Sequence, residues 1–302
     1  MIDQMASLNL SYLVELSQDS NNAFYQFDRL AQFLAREKCT YRDRNMPTLL
    51  KPNFISPKQT RTLQYAVENI SSVLNKFISL YLRNNQVREL MKFSEIENEL
   101  FFIEPNYSYP LVIARLDAFM DKYSVKFLEF NCDSPAGTAY SDVLEDGFKE
   151  ILNDFPVVHS WKVEYYRRQE RLYNALLTCY NEFRVTHPSL PATPTIAIVD
   201  WEDVATYSEF ELFQEYFRQK GHECIICSPQ KLKISGDHLL ADGQAVHLIY
   251  KRVITRELIE KLDKVEDFIQ GVKEGLACVC NPFRSFIVGN KKVLAVLTDS
   301  RF

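Results

Sequence analysis

Four polar side chains in the first half of the sequence have the types and the spacing of a site for a cation or a phosphate. Arg115 and Asp117 are two residues apart, and so are Glu129 and Asn131. In β-strands the members of each pair point to the same face. Carboxylate and amide oxygens suit a hard cation such as Mg²⁺, and an arginine suits a phosphate or a carboxylate. The ordinary alternative is a solvent-exposed strand face with a cross-strand ion pair.

The segments that carry these side chains have the pattern of a β-hairpin. Residues 111–119 and 125–130 favour strands, and turn-forming residues lie between them. A three-residue loop would place Arg115 opposite Glu129, whereas a slightly longer loop would place Asp117 there. Either register brings the four polar side chains together on one face of the hairpin.

The order of these residues resembles a motif of a known enzyme family. Arg-x-Asp is followed by Glu-x-Asn, which begins fourteen residues after the arginine, and then by a turn of small polar residues around Ser134. This pattern is similar to that of the glutathionylspermidine synthases, which are circularly permuted ATP-grasp ligases related to eukaryotic glutathione synthetases. The resemblance implies ATP and Mg²⁺ as cofactors, with Asp117, Glu129 and Asn131 as metal ligands. It implies further that Arg115 is catalytic at the transferring phosphoryl group and that Ser134 contacts the substrate.

The resemblance continues in the second half of the sequence. A predicted strand ends in Lys251 and Arg252, and ligands of α/β sheets bind beyond the carboxyl ends of strands. In the related ligases the strand-end arginine contacts the substrate, which implies a substrate-binding Arg252. Residues 253–255 differ from the Asp-Gly-Tyr of glutathione synthetases, so the substrate is left open. The run Gly-Asn-Lys that ends at Lys291 implies an ATP contact there, and the alternative is a solvent-exposed lysine at the start of a helix.

The distribution of apolar residues predicts a mixed α/β protein of two domains. Residues 1–190 are expected to be a helical region packed on the hairpin, and residues 191–302 a Rossmann-like, parallel β-α-β unit. The resemblance to the ATP-grasp ligases implies that this unit is of the kind that precedes an ATP-grasp domain. Residues 188–194 contain three prolines and form the predicted linker. Helices are predicted at residues 21–36, 57–82, 87–98, 141–151, 159–187, 209–220 and 256–262 and from about residue 289. Strands are predicted at residues 195–200, 223–227, 245–252 and 277–280, with a turn at 239–243.

Composition excludes several classes of function. The net charge of −5 gives no reason to expect a nucleic-acid partner. We expect no membrane span or signal peptide, and the seven scattered cysteines favour a reducing, cytoplasmic setting. Cys224 and Cys227 have a zinc-like spacing, and Cys278 and Cys280 could complete such a site. Both pairs lie in apolar strands, whose side chains alternate between faces, so four converging thiolates are not expected.

The resemblance implies an ATP-dependent carboxylate–amine ligase that acts through an acyl phosphate. Its substrates would be a small-molecule or peptide carboxylate and an amine. No glycine-rich phosphate loop occurs in the sequence. In the family that the sequence resembles, the glycine-rich lid and the remaining nucleotide contacts lie further along, which implies that the C-terminal ATP-grasp part lies beyond residue 302 or on another polypeptide. The alternative function is a non-catalytic protein that binds an anion or a peptide with the same fold.

Overall fold

The computed structural model describes residues 4–121 and 124–301. It is a mixed α/β protein with a parallel sheet, which confirms the fold class predicted from the sequence. The helices are α1 (Gln4–Gln18), α2 (Ser20–Arg36), α3 (Pro57–Arg83), α4 (Asn85–Met91), α5 (Glu95–Phe101), α6 (Thr138–Leu152), α7 (Pro156–His159), α8 (Arg168–Thr186), α9 (Tyr207–Gln219), α10 (Thr255–Glu260), α11 (Glu266–Lys273), α12 (Phe286–Gly289) and α13 (Lys292–Leu297). The strands are β1 (Thr40–Tyr41), β2 (Arg44–Asn45), β3 (Arg115–Met120), β4 (Val125–Asn131), β5 (Ile196–Val199), β6 (Cys224–Cys227), β7 (Leu232–Ser235), β8 (His238–Ala241), β9 (Gln244–Val246), β10 (Leu248–Lys251) and β11 (Cys278–Cys280).

The chain forms two compact units, each assembled from separate segments. The first unit contains the chain up to Gln64, Gly137–Glu170 and Ala205–Phe213. The second unit contains Tyr65–Ala136, Arg171–Val204 and the chain from Gln214 onward. Residue 190, where the sequence predicts a domain boundary, lies within the second unit.

The parallel sheet of the second unit has the strand order β11-β10-β5-β6. β5 and β6 pair in parallel, from Ile196 opposite Cys224 to Val199 opposite Cys227, which confirms the predicted parallel β-α-β pair. β5 and β10 are buried along their whole length. The apolar sequence of β5 suits a strand covered on both faces, and β10 is apolar up to its last residue, Lys251. Because the strands of this sheet are parallel, their carboxyl ends meet at one edge.

The predicted turn at residues 239–243 is wrong, because most of that segment is strand β8. β8 pairs antiparallel with β7 and with β9, and the three form a small separate sheet. The turn itself is only Asp242 and Gly243, which both have positive φ angles, 48° and 81°. Two consecutive positive φ angles with an Asp-Gly sequence are typical of a tight two-residue hairpin turn.

Helix ends explain the main departures from the predicted helices. The predicted helix at residues 87–98 is two helices, α4 and α5, because Lys92 adopts a left-handed conformation with φ 52°. Ser94 then starts α5 with a capping box, in which its hydroxyl and the Glu97 carboxylate each accept the other's backbone N–H. The predicted helix at residues 159–187 begins only with α8, and α11 was not predicted. No helix formed by the described residues is both long and apolar enough to cross a membrane.

Candidate functional site

The hairpin of β3 and β4 has the second of the two registers that the sequence left open. Asp117 lies directly opposite Glu129, and Arg115 lies opposite Asn131. Directly opposed residues share a face of a hairpin, so the four predicted side chains lie on one face. A β-bulge between Asp117 and Ala118 shifts the register towards the tip. Residues 122 and 123 of the predicted turn lie outside the described residues.

Each carboxylate on this face accepts hydrogen bonds from a neighbouring side chain. Arg115 Nε is 3.0 Å from Asp117 Oδ1, and Asn131 Nδ2 is 3.3 Å from Glu129 Oε1. The second oxygen of Glu129 is 3.1 Å from Lys291 Nζ. The hydrogen bond from the Lys291 ammonium holds the pKa of Glu129 below its ordinary value. The structure therefore brings five of the seven predicted site residues together.

Lys291 reaches the hairpin because α12 lies against the end of β4. A Cβ atom built on Gly289 would be 3.5 Å from the Phe130 carbonyl oxygen and 3.8 Å from the Cys132 backbone nitrogen. The chain turns there towards α13, and Lys291 stands immediately before that helix. Its side chain is 72% exposed, so it has room to move.

The other two predicted residues, Ser134 and Arg252, meet each other instead. The Ser134 hydroxyl donates a hydrogen bond to the Arg252 backbone carbonyl oxygen. The Arg252 guanidinium is buried, and its Nη1 is 3.0 Å from the Tyr250 hydroxyl. The turn after β4 is thus tied directly to the carboxyl end of β10.

A buried ion pair holds the same turn in place. Lys251 Nζ is 2.5 Å from Asp133 Oδ1, and the two side chains are 0% and 11% exposed. Asp133 Oδ1 also accepts a hydrogen bond of 2.7 Å from the Thr255 hydroxyl, and its Oδ2 one of 2.6 Å from the Thr255 backbone N–H. Lys251 therefore fixes the turn rather than facing a ligand.

Asn281 fastens both ends of the hairpin to the sheet. It follows β11 and is 1% exposed. Its Oδ1 accepts hydrogen bonds from the N–H groups of Val112 and Ile113, at 3.2 and 2.8 Å. Its Nδ2 donates to the carbonyl oxygens of Ile113, Cys132 and Asp133, at 2.7, 2.9 and 3.3 Å. One side chain thus connects the segment before β3 with the turn after β4.

Asp200 is a carboxylate at the carboxyl edge of the sheet and was not among the site residues predicted from the sequence. Asp200 follows β5, which lies between β10 and β6, so its strand end adjoins those of Arg252 and Ser228. Burial raises the pKa of Asp200 to about 6, against weaker lowering effects of the Trp201 backbone N–H and the Arg252 charge. Ser228 is 3% exposed, and the described part of the chain offers its hydroxyl no hydrogen-bond partner. An acid directly after an apolar strand was the available signal.

Asp200→Asn is expected to stabilise the protein at neutral pH and not in acid. The native pKa near 6 exceeds the ordinary value of 3.8, so ionisation favours the unfolded chain and stability falls as pH rises from about 4 to 6. Above that window the cost is about 2–3 kcal/mol, at 1.36 kcal/mol per pKa unit. Urea unfolding at a series of pH values checks this, with the exposed Asp203→Asn as control. A gain that does not change with pH would contradict it.

The cysteines supply no metal centre or nucleophile in the described part of the chain. All seven are free and buried. Residues 4–121 and 124–301 hold no group of three or more His, Cys, Asp or Glu side chains placed to bind a metal ion. Burial raises the pKa of the Cys132 thiol, beside the hairpin, to about 12, which disfavours the reactive thiolate. At the hairpin, two carboxylates and one amide leave coordination positions for water and phosphate, and this oxygen set fits Mg²⁺.

Comparisons with known proteins support the fold. No family model and no curated protein matches the chain in sequence. The fold of this chain is similar to the apo-form structure of a glutathione synthetase-like effector from Globodera pallida. The two align with a TM-score of 0.61 and 13% sequence identity. The match covers 93% of this chain and 66% of that one, so the chain spans about two thirds of the length of that structure. At this identity the likeness concerns the fold alone, and the chain has a glutathione synthetase-like fold.

Proposed function

We propose that this chain belongs to an ATP-dependent carboxylate–amine ligase of the glutathionylspermidine synthase-like ATP-grasp type. The observation that carries the proposal is the hairpin register, because it sets Asp117 opposite Glu129 and Arg115 opposite Asn131. The glutathione synthetase-like fold agrees with it. The free, buried cysteines support a reducing, cytoplasmic setting.

The residues of the hairpin face would divide the work of phosphoryl transfer. Asp117, Glu129 and Asn131 would hold Mg²⁺, which supplies screening of the phosphate charge when it is bound. Arg115 would stabilise the oxygens of the phosphoryl group as it passes to the acid substrate. Lys291 would bind the nucleotide phosphates. These roles place positive charge where negative charge develops, and that is most of what such a reaction needs from a protein.

The acid substrate would lie at the carboxyl edge of the parallel sheet. Arg252 and the turn at Ser134 would hold its carboxylate, and the hydrogen bond between them joins this edge to the hairpin. Asp200 and the hydroxyl of Ser228 add an acid and a hydrogen-bonding group at neighbouring strand ends. Such a set suits a substrate that carries an ammonium group beside its carboxylate, as an amino acid or a peptide does. Attack on the acyl phosphate by the amine would complete the ligation and release phosphate.

A binding role without catalysis is the second candidate, and the ion pairs of the hairpin favour it. Arg115 is paired with Asp117, and Lys291 with Glu129. Because each of these cations is held by a carboxylate, it can attract an anion but is not placed to stabilise a phosphoryl group during transfer. Incubation of this chain together with its expected C-terminal ATP-grasp part, with Mg-ATP, an amine and a panel of γ-glutamyl peptides, separates the two candidates. ADP release that Arg115→Ala abolishes would support the ligase, whereas binding without release would support the second candidate.

Glu129→Gln is expected to abolish the Mg²⁺ dependence of ATP binding while leaving the thermal midpoint almost unchanged. The substitution removes a metal-ligand charge, but a carboxylate that is partly exposed to solvent and paired with an exposed lysine contributes little to folding. Calorimetric titration with ATP, with and without Mg²⁺, measures the first effect, and thermal unfolding measures the second. Glu164→Gln is the control, because Glu164 is likewise a glutamate paired with a lysine, at 2.9 Å. Equal Mg²⁺ dependence in the wild type and Glu129→Gln would refute the metal assignment.

A further inference from the structure

The ammonium group of Lys291 occupies the position that a cation would take at Glu129. Lys291 Nζ is 3.1 Å from Glu129 Oε2, and Asn131 Nδ2 is 3.3 Å from Glu129 Oε1. Both oxygens of the proposed metal ligand are therefore engaged by donors of the protein itself. A divalent cation bound to Glu129 would repel the lysine, since the two positive charges cannot share one carboxylate at short range without cost.

Lys291 is also free to leave. Its side chain is 72% exposed, whereas that of Glu129 is 34% exposed. Lys291 lies at the start of α13, and its aliphatic stem can swing about several rotatable bonds. Exposed ion pairs of this kind are weak and sensitive to salt. Breaking the ion pair between Lys291 and Glu129 therefore costs little free energy, and the binding of a divalent cation to Glu129 can supply it.

We propose that Lys291 is a built-in competitor of the divalent cation at Glu129, and that metal binding releases its ammonium group. The competition between Lys291 and the cation follows from the contacts of Glu129 with Lys291 and Asn131. The role of the released lysine rests on the proposed function, in which its ammonium group binds the nucleotide phosphates. Metal and nucleotide then bind in a linked manner, because each shifts the lysine away from Glu129.

Titration of the full chain with Mn²⁺ alone, in low salt, tests the competition without nucleotide or catalysis. Lys291→Gln is expected to bind Mn²⁺ about two- to five-fold more tightly than the wild type, the range that an exposed ion pair contributes. The gain should shrink at high ionic strength. Lys291→Arg keeps the charge and should keep the wild-type affinity. Lys162→Gln, which removes a similarly exposed and paired lysine, should change nothing.

The outcomes separate this inference from the proposed function. One outcome is that Glu129→Gln abolishes Mn²⁺ binding while Lys291→Gln binds Mn²⁺ no more tightly than the wild type. That outcome would overturn the competition and still support the metal site at Glu129. Weaker Mn²⁺ binding by Lys291→Gln would overturn the competition as well. Absence of any binding that depends on Glu129, in the wild type and the lysine variants alike, would overturn both.

Discussion

Lys251→Met is expected to lower the free energy of unfolding by about 3–5 kcal/mol, the cost of breaking a buried ion pair from one side. The Lys251 side chain is fully buried and lies 2.5 Å from Asp133. Without its partner, the Asp133 carboxylate keeps the two bonds from Thr255 but remains an uncompensated buried charge. Urea unfolding at neutral pH measures the loss.

Two further variants give the result its meaning. Lys162→Met removes an exposed lysine and should change stability by less than about 0.5 kcal/mol. Lys251→Met combined with Asp133→Asn removes both charges and should recover part of the loss, because the desolvation cost of the carboxylate disappears with it. A single variant as stable as the wild type would show that Lys251 does not hold the turn.

Asn281→Ala is expected to cost about 3 kcal/mol or more and to loosen both ends of the hairpin. The substitution deprives two N–H groups and three carbonyl groups of their partner. Each buried polar group left without a hydrogen bond costs about 1–3 kcal/mol, and water can reach only some of these. Unfolding in urea gives the total.

Hydrogen exchange gives the local part of the same prediction. The amides of Val112 and Ile113 should exchange faster in Asn281→Ala, since they donate to Asn281 in the native protein. Asn69→Ala is the control, because the Asn69 side chain is exposed. Among the contacts described, its amide donates one hydrogen bond, to the Tyr65 carbonyl oxygen of the same helix at 2.7 Å. Unchanged exchange at Val112 and Ile113, together with wild-type stability, would contradict the role of Asn281.

Local patterns in the sequence predict the faces of this site but not its register. The spacing of two residues places Arg115 with Asp117 and Glu129 with Asn131, whatever the loop length. The pairing of Asp117 with Glu129 depends on the bulge beside Ala118. The added residue is Leu128, because Asp117 pairs with Glu129 and Ala118 pairs with Phe127. A leucine between a phenylalanine and a glutamate favours a strand in either register, so the bulge has no sequence signal of its own here.

Long-range contacts explain the remaining differences. Lys251 looks like an ordinary strand-end cation, and its partner Asp133 is 118 residues away in the chain. Asn281 contacts residues 148 to 169 positions earlier. The sequence shows Asp200 as an acid after an apolar strand. Its raised pKa comes from burial by helices and strands whose positions in the fold cannot be predicted from the local sequence. Such facts arise from tertiary packing and have no local signature.

The interleaved segments of the two units affect the order in which they can fold during synthesis. The last segment of the first unit is Ala205–Phe213, whereas β10 and β11 of the second unit follow it. Translation proceeds from the N-terminus, and parallel strand pairs of large sequence separation form late. A nascent chain that has emerged from the ribosome as far as Phe213 contains every segment of the first unit. At that moment β5 has been synthesised, but its neighbouring strands β6 and β10 have not. Its backbone hydrogen-bonding groups and apolar side chains therefore remain exposed until those strands are made.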